Sequence, residues 1–144
     1  MRNVRIFQFS LVGLIISQVF NSMEQMMSHF SLLIPLFTNK IHHRIPFFPV
    51  IQINEGIFMF LNLLIIVTIF IVGAFVFLEM KWTKNVIFIL SIIEIIYALF
   101  PILLALHFRK YFPGTISSIF VLFFGVLILF TISAYKPQEV NLEE

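Results

Sequence analysis

The sequence of 144 residues contains no cysteine, and only 11% of its residues are charged. The absence of cysteine excludes disulfides, thiol nucleophiles and cysteine-ligated metal sites. The nine basic and seven acidic residues leave a net charge of only +2, so an extended basic surface for nucleic acid is excluded as well. Soluble domains carry about a quarter charged residues, and this composition is therefore not typical of a water-soluble globule.

Apolar residues are abundant instead: 60% of the chain is hydrophobic, and 20 residues are phenylalanine. A globule of this size has too much surface for its volume to bury so many apolar side chains. A lipid bilayer removes this constraint because it replaces water as the solvent. The composition therefore predicts an integral membrane protein whose main partner is the bilayer.

Four apolar windows are separated by charged residues, prolines and glycines, and they cover about residues 6–27, 57–78, 86–106 and 115–135. Each is close to the roughly 20 residues that cross a hydrocarbon core of about 30 Å. Backbone groups in lipid must be satisfied within their own segment, so these windows predict helices. No cleavage site follows Arg2 and Arg5, which favours an uncleaved first span. We expect an all-α fold with one four-helix membrane domain over residues 1–136 and a polar tail at 137–144.

The connection at 38–54 is the longest piece outside the windows. Pro46 and Pro49 exclude a continuous helix there, and the intervening Phe47 and Phe48 are expected to rest in the membrane interface. The connections at 79–85 and 107–114 are short, which predicts that consecutive helices are antiparallel neighbours.

Four spans place both termini on one side of the membrane. That side carries five basic residues against four on the other, which is a weak bias. Arg2 and Arg5 before the first span favour cytoplasmic termini, because positive residues flank the cytoplasmic ends of spans.

Polar residues gather in the second half of the first window. Ser17, Asn21, Glu24 and Ser28 lie within about 60° on a helix, and Gln18, Gln25 and His29 form an adjoining strip. Placing an ionisable residue in a membrane span costs roughly 2.5–3.5 kcal/mol, so the presence of Glu24 in the first window requires an explanation. One interpretation is that the stripe joins helices through hydrogen bonds. The other is a buried site where Glu24 binds a proton, a cation or a polar group of a ligand.

A second acid, Glu94, lies midway along the third window, out of reach of any basic residue on its own helix. It is therefore expected to be protonated, or to be paired across the bundle with His29 or Asn62. Glu55, Asn62 and Gly73 share one face of the second window, which predicts that helix's inner face. Gly73 and Gly125 are expected to mark close helix contacts.

The adjacent His42 and His43 do not converge on one ion as zinc ligands must, and a solvated loop is the favoured interpretation. The chain also has no glycine-rich phosphate loop, nucleophile elbow or zinc-peptidase motif. The sequence accordingly predicts no metal and no cofactor.

Two short segments carry a family resemblance. Residues 21–25 read Asn-Ser-Met-Glu-Gln, and residues 109–115 read Arg-Lys-Tyr-Phe-Pro-Gly-Thr. In this order and spacing they resemble the HXXEE family of small bacterial membrane proteins over about residues 10–135. Tyr111, Pro113 and Gly114 match the Tyr-x-Pro-Gly element that opens the family's last span. The resemblance implies a helical bundle in the bacterial cytoplasmic membrane.

The naming motif of the family is degenerate in this chain. Glu24 keeps its first glutamate, whereas Asn21 replaces the histidine and Gln25 replaces the second glutamate. Neutral amides still form hydrogen bonds, but they are poor metal ligands and poor proton carriers. The upstream stretch at 97–101 also lacks the family's asparagine and histidine. The resemblance therefore implies the fold more than an activity.

Three functions remain open at this point. The first is a binding or transport protein in which Glu24, and with it Glu94, handles a proton, a cation or a lipid-like ligand. The second is an accessory or structural subunit whose polar stripe only assembles helices, including within a homo-oligomer. The third and least favoured is an enzyme on a lipid-like substrate, which requires Glu24, His29 and Glu94 to converge in one cavity.

Overall fold

The computed structural model describes residues 2–135, and its regular structure is helical throughout that range. The all-α class is confirmed, and the tail at 137–144 lies outside the described residues. There are five α-helices, α1 (Arg2–Met27), α2 (Leu33–Arg44), α3 (Glu55–Phe77), α4 (Thr83–Phe108) and α5 (Thr115–Thr131), with 3-10 turns at Phe30–Leu32 and Ile132–Ala134.

Three helices are long and apolar enough to cross a membrane: α1 from Val4 onward, α3 and α4. The fourth apolar helix, α5, has only 17 residues, which corresponds to about 26 Å. The 3-10 turn at its end adds about 6 Å. The last predicted span therefore needs this extension to match a core of about 30 Å.

The four apolar helices form an antiparallel bundle. α1 and α4 each pack between α3 and α5, so α1 and α4 face each other across the centre. The start of α1 lies beside the end of the chain, where the rings of Phe7 and Tyr135 stack with centroids 4.9 Å apart. Late α1 contacts early α3 through Ser22 and Asn62, whose side-chain oxygens are 3.0 Å apart. Each neighbouring pair is thus antiparallel, and α1 and α4 run parallel.

The end of the bundle nearest the termini has an apolar core. Its fully buried side chains include Phe7, Leu11, Val76 and Val121. Tyr135 is also buried there, and its hydroxyl donates to the backbone oxygen of Val76 at 3.0 Å. The opposite end of the bundle centre is polar, and it carries the site described below.

The outer surface is covered with large apolar side chains. Phe60, Phe70, Leu103 and Phe130 are each more than half exposed. A contiguous apolar surface of this kind is a liability in water and is the expected surface in lipid. It accounts for the phenylalanine excess that the sequence shows.

Helix α2 was not expected from the sequence. The prolines do exclude helix over 45–54, as predicted, but residues 33–44 are helical. Pro35 lies in the first turn, where a proline needs no hydrogen-bonded N–H. His42 and Arg44 lie in the last turn, where cations complement the helix dipole. The helix then ends two residues before Pro46.

Aromatic rings attach α2 to one end of the bundle. The ring of Phe37 lies 5.2 Å from that of Phe108 and 5.3 Å from that of Phe112, edge to face in both cases. Phe30, just before α2, packs against Phe58 and Phe112. α2 therefore covers the end of the bundle at which α1 finishes and α5 begins.

The predicted inner face of α3 is confirmed for Asn62 and Gly73, which are both buried. It is wrong for Glu55, whose side chain is exposed and pairs with His29. The predicted close contacts at two glycines are confirmed as well. A Cβ on Gly73 would lie 3.2 Å from Cδ1 of Ile15, and a Cβ on Gly125 would lie 2.9 Å from Cγ1 of Ile95. These glycines set the distances between α1 and α3 and between α4 and α5.

Replacing Gly125 with alanine should destabilise the bundle, because the added methyl group forces α4 and α5 apart. Gly56→Ala is the matched control, since a Cβ there meets only Oδ1 of Asn54 at an ordinary 3.5 Å. Both changes replace a helical glycine, Gly56 in the first turn of α3 and Gly125 in the interior of α5, where the gain in helix propensity is at least as large. We expect the free energy of unfolding in mixed micelles to be lower in Gly125→Ala than in Gly56→Ala by about 1–3 kcal/mol. Equal stabilities would contradict the packing described.

Candidate functional site

Glu24 lies in the last two turns of α1 and contacts the first turn of α5. Its Oε2 accepts hydrogen bonds from the hydroxyl of Ser117 at 2.6 Å and from the backbone N–H of Ser117 at 3.3 Å. Its Oε1 accepts from the hydroxyl of Tyr111. The first N–H groups of a helix have no acceptor within the helix, and that end carries partial positive charge. Because Gly114 precedes α5 and offers no side chain for this role, a carboxylate from another helix caps α5.

Gly114 brings the start of α5 against α1. Its φ is 87°, in the left-handed region that favours glycine. A Cβ at this position would lie 2.9 Å from Nε2 of Gln25 and 3.0 Å from Oδ1 of Asn21. Glycine is therefore needed here both for the backbone conformation and for the close approach to two polar side chains.

The two segments that resemble the HXXEE family thus form one site. Glu24 and Tyr111 are 87 residues apart in the chain and share a hydrogen bond. Gly114 packs on Asn21 and Gln25, the two positions at which the naming motif is degenerate. Their contact was not part of the sequence prediction.

Asn21 connects Glu24 to the centre of the bundle. Its Oδ1 lies within hydrogen-bond distance of three donors: the Ser117 hydroxyl at 3.1 Å, the Ser118 hydroxyl at 3.3 Å and Nε2 of Gln25 at 3.2 Å. Asn21, Gln25 and Ser118 are all fully buried. Asn21 therefore acts as a hydrogen-bond acceptor between α1 and α5.

The network continues through Gln25 to the other two helices. Oε1 of Gln25 accepts from the hydroxyl of Tyr97 on α4 at 2.5 Å. The same hydroxyl is 3.4 Å from Oδ1 of Asn62 on α3, which also accepts from Ser22 at 3.0 Å. All four helices of the bundle thus contribute to one polar layer, which we define as Asn21, Ser22, Glu24, Gln25, Asn62, Tyr97, Ser117 and Ser118.

Two of the predicted site residues lie outside this layer. His29 follows α1 in a left-handed conformation with φ 50°, and its Nδ1 pairs with Oε1 of Glu55 at 2.9 Å. Both side chains are more than half exposed. Glu94 is buried on α4, one turn before Tyr97. Among residues 2–135 it forms no hydrogen bond with His29 or Asn62, so neither predicted pairing is formed.

An apolar groove of about 540 Å³ runs along the outer contact between α1 and α5 and ends at Glu24. Its walls are apolar side chains of the two helices, chiefly Phe9, Val12, Ile16, Phe20, Ile116, Phe120 and Phe124. Its polar lining residues are Ser17, Glu24 and Ser117, of which Glu24 and Ser117 lie at its end. We call this the α1–α5 groove.

A smaller cavity of about 320 Å³ lies on the other side of the bundle, between α2, α3 and α4. Asn62 and Tyr97 line its inner wall, and Phe30, Ile34 and Phe58 line the rest. The polar layer therefore lies between two apolar cavities, with Glu24 at one and Asn62 at the other.

The sequence analysis did not identify Tyr97, Ser117 or Ser118 as site residues. A usable signal was present for the serines, because they lie three and four positions after Gly114, in the first turn of a predicted helix. For Tyr97 the only signal was its position three residues after Glu94, on nearly the same face of the helix. Within residues 2–135, no group of three His, Asp or Glu side chains is arranged to hold a metal.

Alanine at position 114 should weaken the attachment of α5 to α1. A residue with a Cβ in the left-handed region costs about 1–2 kcal/mol, and the contact with Gln25 adds to this. We expect Gly114→Ala to lower the free energy of unfolding by at least that amount, measured in mixed micelles beside Gly56→Ala. A Gly114→Ala protein as stable as the control would show that the close approach is not required.

The hydrogen bond to Glu24, then burial and the negative charge, raise the pKa of Tyr111 from 10.0 to about 12. Because the folded-state pKa lies above the unfolded value, the stability from this bond is complete below pH 10 and is lost as the pH rises toward 12. We expect the ¹³Cζ resonance of labelled Tyr111, assigned with Tyr111→Phe, to titrate above pH 11. In Glu24→Gln its pKa should fall toward 10. An unchanged pKa in Glu24→Gln would contradict the pairing.

Comparisons with protein-family models, with curated proteins and with solved structures give no match to this chain. The site is therefore defined by its own geometry: a carboxylate that caps one helix, joins a polar layer and lies at the end of an apolar groove.

Proposed function

We propose that this protein binds a lipid-like amphiphile with a cationic head group inside the membrane, with the head at Glu24 and the hydrocarbon part in the α1–α5 groove. The observation that carries the proposal is a carboxylate that has no counter-ion among residues 4–135 and lies at the end of an apolar groove. Binding is proposed rather than catalysis, since Glu24, His29 and Glu94 do not line one cavity.

The charge of Glu24 supports a cationic head group. Tyr111 and Ser117 satisfy the carboxylate oxygens as hydrogen-bond donors, but neither supplies a positive charge. No Lys or Arg among residues 4–135 forms an ion pair with Glu24. A carboxylate at the edge of a hydrocarbon core is costly without a cation. A cationic head group of a ligand would supply that positive charge, and it needs no N–H donor because Tyr111 and Ser117 already donate to the carboxylate.

The size and lining of the groove support a hydrocarbon tail. Its 540 Å³ falls within the range of about 300–1,000 Å³ that is usual for small-molecule sites. Ile16, Phe20 and Phe120 are each more than half exposed, so the groove opens on the lipid-facing surface. A membrane-dissolved amphiphile could therefore approach from the side without leaving the bilayer.

A structural role for the same contact is the second candidate. It is favoured by the hydrogen bonds that Tyr111 and Ser117 donate to the Glu24 carboxylate, because these bonds join α1 to the start of α5. In that case Glu24 only assembles the bundle, and this assembly would be the contribution of an accessory subunit. The two candidates differ in whether an added amphiphile interacts with Glu24.

We further propose, on sequence grounds, membership of the HXXEE family and a place in the bacterial cytoplasmic membrane with cytoplasmic termini. The contact between the two resembling segments, at Glu24 and Tyr111, supports treating them as one functional unit. The family motif has a histidine at the position of Asn21 and a second glutamate at the position of Gln25. Those residues would change the charge of this unit, so proteins with the full motif need not bind the same ligand.

Binding can be measured with dodecyltrimethylammonium and dodecyl maltoside, which share a 12-carbon chain and differ in head-group charge. We expect the wild-type protein in nanodiscs to bind the cationic amphiphile more tightly. Glu24→Gln should weaken that binding at least about tenfold, or about 1.4 kcal/mol, and leave dodecyl maltoside binding unchanged. Equal affinities in wild type and Glu24→Gln would favour the structural role instead.

Filling the groove provides a test that does not disturb Glu24. Ile16→Trp places a larger side chain on the groove wall and should weaken binding of both amphiphiles. Leu103→Trp, on the exposed face of α4 away from the groove, is the matched control and should bind both like the wild type. Similar binding by the two tryptophan variants would overturn the assignment of the tail to the α1–α5 groove.

A further inference from the structure

A second group of polar atoms lies in the bundle centre, and these atoms have no hydrogen-bond partner. They are both amide atoms of Gln18, the hydroxyl of Ser91 and Oε2 of Glu94. All three side chains are at most 2% exposed. The hydrogen-bonded layer around Glu24 does not account for them.

The three side chains lie on two facing helices, about one to two turns deeper in the bundle than Gln25 and Tyr97. α1 and α4 run parallel, and the bond between Gln25 and Tyr97 fixes their register. Gln18 lies seven residues before Gln25, and Ser91 lies six residues before Tyr97, so both are about 9–10 Å farther into the bundle. Glu94 lies between Ser91 and Tyr97, about 4.5 Å from the level of the latter. Their burial shows that they point inward rather than toward lipid.

Gly125 of α5 packs against α4 at this level. A Cβ there would lie 2.9 Å from Cγ1 of Ile95 and 3.7 Å from the backbone oxygen of Ser91. At this position α5 therefore contributes backbone rather than a side chain beside Ser91.

Leaving such atoms without partners is costly. A buried donor or acceptor without a partner costs about 1–3 kcal/mol, and an isolated carboxylate costs more. Within residues 2–135 the helices around Glu94 offer no nearby positive charge: α3 and α5 contain no Lys, Arg or His, and α1 has none after Arg5. On α4 the basic residues are Lys84 and His107, about 15 Å and 20 Å away along the axis. These four helices therefore supply no counter-ion for the Glu94 carboxylate.

We propose that Gln18, Ser91 and Glu94 form an intramembrane binding site for a small monovalent cation, for which Na⁺ is the probe. The site offers an amide oxygen, a hydroxyl oxygen and a carboxylate oxygen, and hard cations bind through oxygen ligands. One carboxylate balances one positive charge, which favours a monovalent over a divalent ion. This inference does not rest on the amphiphile site, since none of its three residues lines the α1–α5 groove.

The polar layer provides a route to the site. From Glu94 the next turn of α4 carries Tyr97, which bonds to Gln25, and Gln25 bonds to Asn21. Asn21 shares the Ser117 hydroxyl with the half-buried Glu24, which bonds to the exposed Tyr111. A cation that enters at the connection between α4 and α5 would thus meet polar groups along its whole path.

The test is the apparent thermal unfolding midpoint of the purified protein in nanodiscs. NaCl is varied against choline chloride at constant ionic strength, because a ligand that binds only the folded state raises this midpoint. We expect a saturable rise with Na⁺ in the wild type. Glu94→Gln should abolish the rise, and Ser91→Ala should weaken the apparent affinity for Na⁺ about tenfold, or about 1.4 kcal/mol.

Two controls separate this site from its alternatives. Glu24→Gln should keep the full Na⁺ response, which distinguishes failure of this proposal from failure of the amphiphile site. Ser91→Ala is a small change that is expected to fold even if Glu94→Gln does not. If the unfolding midpoint of the wild type is the same in NaCl and in choline chloride, the proposal is overturned. Water or a proton would then occupy the site instead. An unchanged Na⁺ affinity in Ser91→Ala would overturn it as well.

Discussion

The positive end of α5 meets the carboxylate of Glu24 within the membrane domain, and the rest of the site depends on this contact. A helix that begins near a hydrocarbon core cannot leave its first N–H groups to water, and Gly114 supplies no capping side chain. Glu24 supplies the acceptor from α1. The contact fixes the register of α1 against α5, aligns Asn21 with Ser117, and so closes the polar layer across the bundle.

The helical class and the approximate spans could be predicted from the sequence because one constraint dominates them. In lipid every backbone group must be satisfied within its own segment, so length and apolarity alone delimit the helices. The same desolvation argument identified Glu24, since an acid in a span needs a partner. Gly114 was identified only through its resemblance to a family element. Its structural reason, a left-handed turn against Gln25, became apparent only in the folded chain.

Helix α2 and the pairing of polar groups could not be predicted from the length and apolarity of segments. α2 is short and ends in basic residues. Because prolines follow it, the sequence predicted a non-helical connection and did not predict the helix before these prolines. Pairing between helices depends on their rotation and register, and these are set by contacts such as Gly13 against the ring of Phe124. A single sequence does not contain that information. His29 was therefore expected near Glu94, whereas the turn after α1 directs it to Glu55.

The central claim is that the α1–α5 groove holds a hydrocarbon chain whose cationic head lies at Glu24. Photo-crosslinking in nanodiscs tests it most directly, with an alkyltrimethylammonium probe that carries a diazirine near the end of its chain. The account predicts labelled residues on the groove walls, near Phe9 on α1 and Phe124 on α5, and loss of this labelling in Glu24→Gln. Uniform labelling of the lipid-facing surfaces of α3, α4 and α5 that persists in Glu24→Gln would contradict it.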